Sequence, residues 1–334
     1  MVPTLAADRR LLECLESLAK QTQRDFEVIV VDNSGKGLVR SQEMTRRQES
    51  PPEIRVLENR HNAGFGPAVN QAMRASGARY LATLNDDAVA HPGWLAAAVD
   101  VLDRRPDVGM CASQVRLYGE RRLDSAGMLL SNDGSSKQRG QGRAPDDFPV
   151  EEEVLLPSGS AALYRRAMLD QIGGFDDRFF LYCEDTDLGL RARWAGWKCV
   201  YSPLAVVEHH YSHSAGEASP LKAYLVERNR LFVLVKNFPV RMLWRAPLAE
   251  AARYFWHLVY LTRGRGSAAR FRASGHHGGR MLWYVVKARL VLVRNARWLW
   301  RERKRIRRGA RITPGVFRHL ARTSSIGARR VAEL

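Results

Sequence analysis

Two clusters of acids and one of histidines are the residues in this chain whose types and spacing could do chemistry. Asp86 and Asp87 stand side by side, directly after the apolar run Tyr80–Leu84. Adjacent carboxylates repel one another unless a cation shares their site, so the pair suits a divalent metal ion. Glu184, Asp185 and Asp187 form the second cluster, inside GGFDDRFFLYCEDTDLGLRARWAGW. A helix start explains one or two of these acids, because the helix dipole favours negative charge there. A third, beside two phenylalanines, a tyrosine and a cysteine, points to a carboxylate that takes a proton from a hydroxyl. The stretch AVVEHHYSHS then supplies three histidines. One of them with Asp87 would complete an oxygen and nitrogen metal shell whose other positions phosphate oxygens fill. Metal, phosphate and base together describe transfer from a diphosphate leaving group to a hydroxyl.

These side chains need a scaffold that brings distant segments together. Leu11, Leu12, Leu15 and Leu18 recur at helical spacing, so residues 8–20 read as an amphipathic helix. FEVIVV at 26–31 is a buried parallel-strand pattern that ends in the loop residues Asp32–Gly35. Strands are predicted at 54–57, 79–84 and 108–112, and helices at 67–76 and 92–104, the latter with Pro92 near its first turn. Strands alternating with helices imply a mostly parallel sheet with helices on both faces. In such sheets ligands sit at the carboxyl ends of the strands, which is where Asp32 and Asn85–Asp87 fall. Residues 116–150 have little periodicity and read as a long surface loop or hairpin on the acceptor side. Only Met1–Thr4 precede the first helix, so either the first strand is cut short and its beginning is expected upstream, or the fold is a variant that lacks it. Such a truncation would leave a gap in the core and an unpaired strand edge.

Net charge is +18 and unevenly placed. Residues 222–334 carry 27 Lys and Arg against four acids, a net of +23, which leaves −5 for residues 1–221. A basic C-terminal third suggests an anionic surface as its partner. Cys14, Cys111, Cys183 and Cys199 show no paired spacing and read as reduced thiols of a cytosolic protein. No basic stretch followed by an apolar one opens the chain, so no signal peptide is expected. No run of 18 uncharged apolar residues occurs, so no spanning helix is expected.

The segments VDNS, NAGFGPAVN, LNDD, GGFDDRFFLYCEDTDLGLR, P-x-A-x-V-x-H and RNR, in this order, resemble the family 2 inverting glycosyltransferases of GT-A fold. The resemblance covers about residues 1–235 and is greatest to the bacterial rhamnosyltransferase-like branch. It implies an α/β, Rossmann-like GT-A domain over 1–220 and a basic helical region over 221–334. Thr4 and Asp32 would then contact the nucleobase and ribose, and Asn62, Gly64 and Asn70 would shape the loop over the nucleotide. Asp87 would bind Mg²⁺ or Mn²⁺, with Asn85 and Asp86 beside it, and His209 would complete the metal site, with His210 as the less favoured substitute. Asp185 would be the catalytic base, with Glu184 as its neighbour. Gly159 and Ser160 would line the acceptor side, and Arg228 and Arg230 would approach the pyrophosphate. Asn85 stands where the family often has an aspartate, which removes one negative charge from the metal motif. A base at a helix N-terminus would have a lowered pKa, so proton transfer from the acceptor would come late.

Arg280, Lys287, Arg294 and Arg301 fall seven apart and would share one helix face, with Leu282, Trp283, Val286, Leu290, Val293, Trp298 and Trp300 between them. This is the pattern of a helix lying in a membrane interface. Leu248–Leu261 would be a second such helix, and RERKRIRRGAR at 301–311 would sit on anionic headgroups. The expected partners are a nucleotide-sugar donor, a lipid-linked or glycan acceptor and an anionic membrane surface, with no nucleic acid. The expected place is the cytoplasm, peripheral on the inner face of the cell membrane. Two other readings stay open on the sequence: a nucleotidyltransferase, and a membrane-bound scaffold that keeps a degraded transferase fold.

Overall fold

The computed structural model describes residues 1–41, 52–210, 219–275 and 278–334. In chain order its elements are β1 (Val2–Thr4), α1 (Arg9–Ala19), β2 (Val28–Asp32), α2 (Leu38–Ser41), β3 (Ile54–Glu58), α3 (Phe65–Ala75), β4 (Tyr80–Leu84), β5 (Ala88–Ala90), α4 (Trp94–Arg104) and β6 (Val108–Leu117). Then come β7 (Leu123–Ser125), β8 (Met128–Leu130), β9 (Ser136–Gln138), β10 (Glu152–Val154), β11 (Ala161–Arg165), α5 (Arg166–Ile172), α6 (Glu184–Trp194) and β12 (Lys198–His209). The remainder is helical: α7 (Pro220–Asn237), α8 (Val240–Leu243), α9 (Ala246–Thr262), α10 (Gly266–Ala273), α11 (Gly278–Arg294), α12 (Ala296–Arg308), α13 (Pro314–Thr323) and α14 (Ala328–Glu333). The chain divides into two compact units. One holds Met1–Gly127, Gln138–Ala192 and Trp197–Tyr211; the other holds Met128–Lys137, Arg193–Gly196 and Ser212–Leu334.

The first unit is an α/β layer structure. Strands β1, β2 and β3 pair in parallel, with Thr4 beside Asp32 and Asp32 beside Glu58. The Met1 amino group donates to the Ala82 carbonyl at 2.9 Å and the Leu84 amide donates to the Met1 carbonyl at 3.1 Å. That alternation is a parallel ladder, and it joins β1 to β4. The sheet continues through β11, β6, β12 and β10. β11 runs antiparallel to both β4 and β6, while β12 runs parallel to β6. Six strands therefore share one direction and β11 and β10 oppose it. The first strand is short, as expected from the sequence, yet both of its edges are paired, so the expected open edge is not there.

Alternation along β2 sorts the two faces. Val28 and Val30 pack with Leu11, Leu15 and Leu18 of α1 and Leu95, Ala98 and Leu102 of α4. Ile29 and Val31 pack with Ala68 and Ala72 of α3. Both faces of this strand are buried, which is why FEVIVV has no polar alternation. α1 starts at Asp8, whose carboxylate accepts from the Arg10 and Leu11 amides. Of the two forms read for 116–150, a long surface loop or a hairpin, its first part takes the hairpin. β6 runs on to Leu117, and β7 pairs back on it through Val115 and Arg116. None of the four cysteines is in a disulfide, and Cys14, Cys111 and Cys199 are buried.

The second unit is a set of helices with the small β8–β9 hairpin. Its core holds buried charge. Asp133, Glu227, Arg230 and Arg253 are each less than a tenth exposed. Arg230 Nε donates to Glu227 at 3.0 Å and its Nη1 donates to the Asp133 carbonyl at 3.0 Å. Arg253 donates to Asp133 at 2.5 Å and to Glu227 at 2.9 Å. Burial alone would raise the Glu227 pKa, but the two guanidinium groups hold it down at about 2. Gly134 packs against this core at φ +86, where an added Cβ would meet the Arg230 carbonyl oxygen at 2.7 Å.

Two expectations for this region are corrected. α11 ends at Arg294 and α12 begins at Ala296, so Arg301 does not continue the seven-residue row of Arg280, Lys287 and Arg294. The cluster at 301–311 is not uniformly outward either. Arg303 donates to the Val235 carbonyl at 2.7 Å, and Arg307 donates to the Asn237 carbonyl at 2.8 Å while stacking over Trp194. These are the last carbonyls of α7, which attract cations. Among the described residues no helix is long and apolar enough to cross a membrane.

Candidate active site

The carboxyl ends of β1, β2 and β4 bring the first group of predicted residues together. Thr4 is buried at the end of β1 and its hydroxyl donates to Asp86 at 2.6 Å. Burial, with Asp87 next door, lifts the Asp86 carboxyl to about 6 against that hydrogen bond. Asp32 lies in register with Thr4. Its Oδ1 accepts from the Ser34 amide and hydroxyl, and its Oδ2 accepts from the Val39 amide. Burial would raise the Asp32 pKa, but these hydrogen bonds outweigh it and the net shift is downward. The carboxylate therefore builds its own turn.

Asp87 and His209 meet although 122 positions separate them. β5, just after the acid pair, runs antiparallel to the end of β12, with Ala88 opposite His209. The His209 Nε2 lies 3.1 Å from Asp87 Oδ1 and 3.2 Å from Asn85 Nδ2. Its Nδ1 lies 2.9 Å from Asp124 Oδ2. Burial lowers the imidazole pKa, but Asp124 and Asp87 outweigh it and hold it at about 10. His210 instead stacks on Tyr118, with ring centroids 3.8 Å apart, and approaches Glu13 at 3.5 Å. His213 lies outside the described residues.

Asp124 is the residue that sequence reasoning missed. It sits on β7, is 2% exposed, and holds the outer nitrogen of His209 so that the inner one faces Asp87. A carboxylate behind a histidine is the usual means of orienting a metal-binding imidazole. Asp87 Oδ1 is buried against the His209 ring, whose Nε2 proton a divalent metal would replace. A carboxylate oxygen and an imidazole nitrogen held 3.1 Å apart are a place for such a cation. Asp87 and His209 therefore fit a divalent metal as a partial donor set. Among the described residues no three His, Cys, Asp or Glu side chains converge on one point, so the remaining ligands would come from the donor's phosphates.

The second acidic cluster opens α6. Asp185 Oδ2 accepts from the Gly159 amide at 3.0 Å, and its Oδ1 accepts from the Thr186 amide at 2.6 Å and hydroxyl at 3.2 Å. The expectation of a lowered Asp185 pKa is corrected: burial outweighs those hydrogen bonds and raises it. Glu184 is lifted further, to about 8, by burial and then by the charge of Asp185, and its Oε2 has no partner. The third acid is structural. Asp187 is fully buried and pairs with Arg191 at 2.8 Å, and Arg191 donates onward to the carbonyls of Ile172, Gly173 and Gly174. Phe180, Tyr182 and Cys183, directly before the acids, all have positive φ. Such strained backbone gathers at functional sites.

One stretch of backbone connects the two acidic clusters. Ser160 and Gly159 lead into β11, which pairs with β4. The Asn85 amide donates to the Ser160 carbonyl at 2.8 Å, while the Gly159 amide holds Asp185. An added Cβ on Gly159 would lie 3.2 Å from the Asp185 Cβ.

The loop residues divide. Asn62 accepts from Asn33 Nδ2 at 3.0 Å and from the Gly64 amide at 2.9 Å. Asn33, not singled out in the sequence, also donates to the Gly64 carbonyl and accepts from Asn59 and the Ala63 amide. Gly64 has φ +95, and a Cβ there would meet the Phe180 carbonyl oxygen at 2.3 Å. Asn70 binds the Phe175 amide and carbonyl and Asp177, so it pins that segment. Arg228 and Arg230 lie on α7 in the helical unit. Arg228 bonds Asn229 and packs over Phe232. All three nitrogens of Arg230 are engaged by Glu227, Glu250, Tyr254 and the Asp133 carbonyl. Its expected approach to a pyrophosphate is corrected to a structural ion network.

Comparison with known proteins fits this geometry. Glycosyl transferase family 2 matches residues 1–173, just over half of the chain. An N-acetylglucosaminyl-diphospho-decaprenol L-rhamnosyltransferase of Mycobacterium tuberculosis is 30% identical over 262 residues, 72% of this chain and 83% of that protein. The O-antigen biosynthesis protein RfbC of Myxococcus xanthus is 28% identical over 211 residues, 60% of this chain and 16% of that one. Among solved structures, GalNAc-T7 with UDP, GalNAc and Mn²⁺ has a TM-score of 0.61 at 13% identity, covering 75% of this chain and 50% of its own. The mannosyltransferase PcManGT of Pyrobaculum calidifontis with GDP-Man and Mn²⁺ has a TM-score of 0.51 at 21% identity, covering 86% and 84%. At those identities the structural likeness speaks for the fold. Sheet order, family match and a near-full-length relative agree: this chain belongs to glycosyl transferase family 2 and is a glycosyltransferase of GT-A fold.

Proposed function

We propose that the chain transfers a sugar, with inversion, from dTDP-rhamnose or a UDP-hexose to a hydroxyl of a lipid-linked or polysaccharide acceptor. This would serve the assembly of a cell-surface glycan on the cytosolic face of the membrane. The observation that carries the reading is the connection of two carboxylate corners through Gly159 and Ser160, which bond Asp185 on one side and Asn85 on the other. A phosphate-binding corner and a proton-accepting corner tied to one short backbone segment suit transfer from a diphosphate to a hydroxyl. The M. tuberculosis relative, whose name specifies a rhamnosyl transfer to a sugar–diphosphate lipid, supports the choice of donor and acceptor.

Asp87 and His209 would hold Mg²⁺ or Mn²⁺, which when bound neutralises charge on the departing diphosphate. Thr4 and Asp32, on adjacent strand ends, would face the nucleobase and ribose, and Asn62 and Gly64 would set the loop beside them. Gly159 and Ser160 line the acceptor side. Asp185 takes the acceptor hydroxyl proton as that oxygen bonds to the anomeric carbon and the bond to the diphosphate breaks on the opposite face. Its raised pKa makes it a stronger base than an ordinary aspartate. The test is release of nucleoside diphosphate from a donor panel, with Mn²⁺ or Mg²⁺ and a polyprenyl-diphosphate-linked sugar as acceptor. Metal-dependent release that needs the acceptor is expected from dTDP-rhamnose or a UDP-hexose. Absence of release from every donor with either metal would overturn the reading.

A further inference from the structure

Among the described residues, the large apolar side chains left exposed are concentrated in the helical unit. They include Trp244 at 81%, Leu248 at 75% and Phe255 at 59%. Trp244, Leu248, Phe255 and Leu258 run along one face of α9 and the turn before it, at spacings of four, seven and three. On α11, Leu282, Trp283, Val286, Leu290 and Val293 fall within about a 100° arc at 3.6 residues per turn. Arg280, Lys287 and Arg294 border that arc on one side, where long cationic stems can reach past an apolar layer. α11 contains no acid. Glu250, the one acid of α9, turns inward to Arg230 and Arg289. A soluble surface rarely shows so many exposed tryptophans and leucines in helical rows.

We infer that α9 and α11 dock on an anionic lipid bilayer, lying in the headgroup–acyl boundary parallel to the membrane plane. The inference rests on the proposed lipid-linked acceptor for its biological sense, but its physical basis is the rows and their charge. Apolar faces enter the acyl boundary, the bordering cations meet lipid phosphates, and neither helix is long and apolar enough to cross. Nucleic acid would use the cations and leave the apolar rows in water. Leu248, Phe255, Trp283 and Leu290 are each more than half exposed, so substituting them should leave the fold intact.

The experiment is co-sedimentation of the full chain, without donor or acceptor, with vesicles of phosphatidylcholine alone or with roughly 30% of the anionic lipid phosphatidylglycerol. The wild type is expected to pellet with the anionic vesicles, at least tenfold more weakly with neutral ones, and less in high salt. The double variants Leu248→Ser/Phe255→Ser and Trp283→Ser/Leu290→Ser are each expected to lose at least tenfold in vesicle binding. Their melting temperatures and their transfer to a water-soluble acceptor are expected to stay near wild type. Unchanged vesicle binding by both variants would overturn the inference. So would dimerisation of the wild type that these variants abolish without any vesicle binding, since the rows would then cover a second copy. Vesicle binding with no transferase activity would sink the proposed function and leave the docking surface standing.

Discussion

Some buried acids of the α/β unit are left short of partners, unlike Asp133 and Glu227 of the helical unit. In the helical unit Asp133 and Glu227 sit between Arg230 and Arg253, with Tyr254 donating to Glu227 at 2.6 Å. In the α/β unit, Asp124 Oδ1 and Glu184 Oε2 are buried and accept no hydrogen bond, and Asp87 Oδ1 faces the His209 ring. An unsatisfied buried group costs about 1–3 kcal/mol, so a fold keeps few of them. Where they cluster at strand ends beside strained backbone, the missing partner belongs to a ligand. Where the acids are answered by guanidinium groups, as at Asp133 and Glu227, the charges belong to the fold. Substitution should separate the two kinds: chemistry fails in one unit and stability in the other.

The largest effect is expected at Asp185. Asp185→Asn keeps the shape and one oxygen for the Gly159 amide but loses the bond from the Thr186 amide and the base, so turnover should fall by about 10²–10⁴-fold. Donor affinity by calorimetry should stay close to wild type, with a small fall in melting temperature. A rate within about threefold of wild type, well short of that range, would mean that another group takes the proton. Arg230→Met tests the other side. It leaves Glu227 and Glu250 short of a buried cation and should cost about 3–5 kcal/mol in urea unfolding. Any activity loss should track the unfolded fraction. If instead the variant is stable and its donor affinity collapses, Arg230 serves the site after all.

Asp124→Asn probes the boundary between the two classes. Asp124 touches no predicted ligand directly, yet it fixes the ring that does. Loss of such an outer carboxylate typically weakens metal affinity by 10–100-fold, so about that loss is expected in Mn²⁺ titrations without donor. A Mn²⁺ affinity equal to wild type would make Asp124 a purely structural partner of His209.

Much of this was legible in the sequence, and the reasons for the rest are physical. Apolar runs mark β2, β4 and β6, and along β2 and most of β6 burial of both faces leaves no polar alternation. Asp87 and His209 stand out because metal-binding residue types follow strand ends. Asp124 does not, since an aspartate in a Gly- and Ser-rich stretch looks like any turn residue until β7 folds back on β6. Asn33 hides for the same reason: its four bonds link the 59–64 loop, and no periodicity reports such a contact. Arg230 misleads in the other direction. An arginine in RNR suggests phosphate, but its neighbours Glu227 and Glu250 are three positions before it and twenty after it, and only helix packing shows that they claim it. The Asp185 pKa went astray because the helix dipole is visible in sequence and desolvation is not.

The most gradual expected effect is a slope in pH at Glu184, where each pH unit changes stability by at most about 1.4 kcal/mol. Burial, then the charge of Asp185, lifts its pKa from 4.5 to about 8. The folded state therefore keeps a proton that the unfolded state releases between those values. More protons bound in the folded state means that stability falls as pH rises through this window, by roughly 1.4 kcal/mol per unit at the steepest. The contribution is fully present below about 4.5 and lost above about 8. Glu184→Gln carries no titrating group and should lack the slope. Urea unfolding at acid, neutral and mildly alkaline pH should show the variant gaining on wild type as pH rises. A constant difference would mean that Glu184 is already ionised in the fold. That outcome would also bear on the base, because two adjacent buried anions repel. A neutral Glu184 leaves Asp185 as the one charge in its corner, free to take the proton, and an ionised one would push Asp185 toward holding a proton of its own.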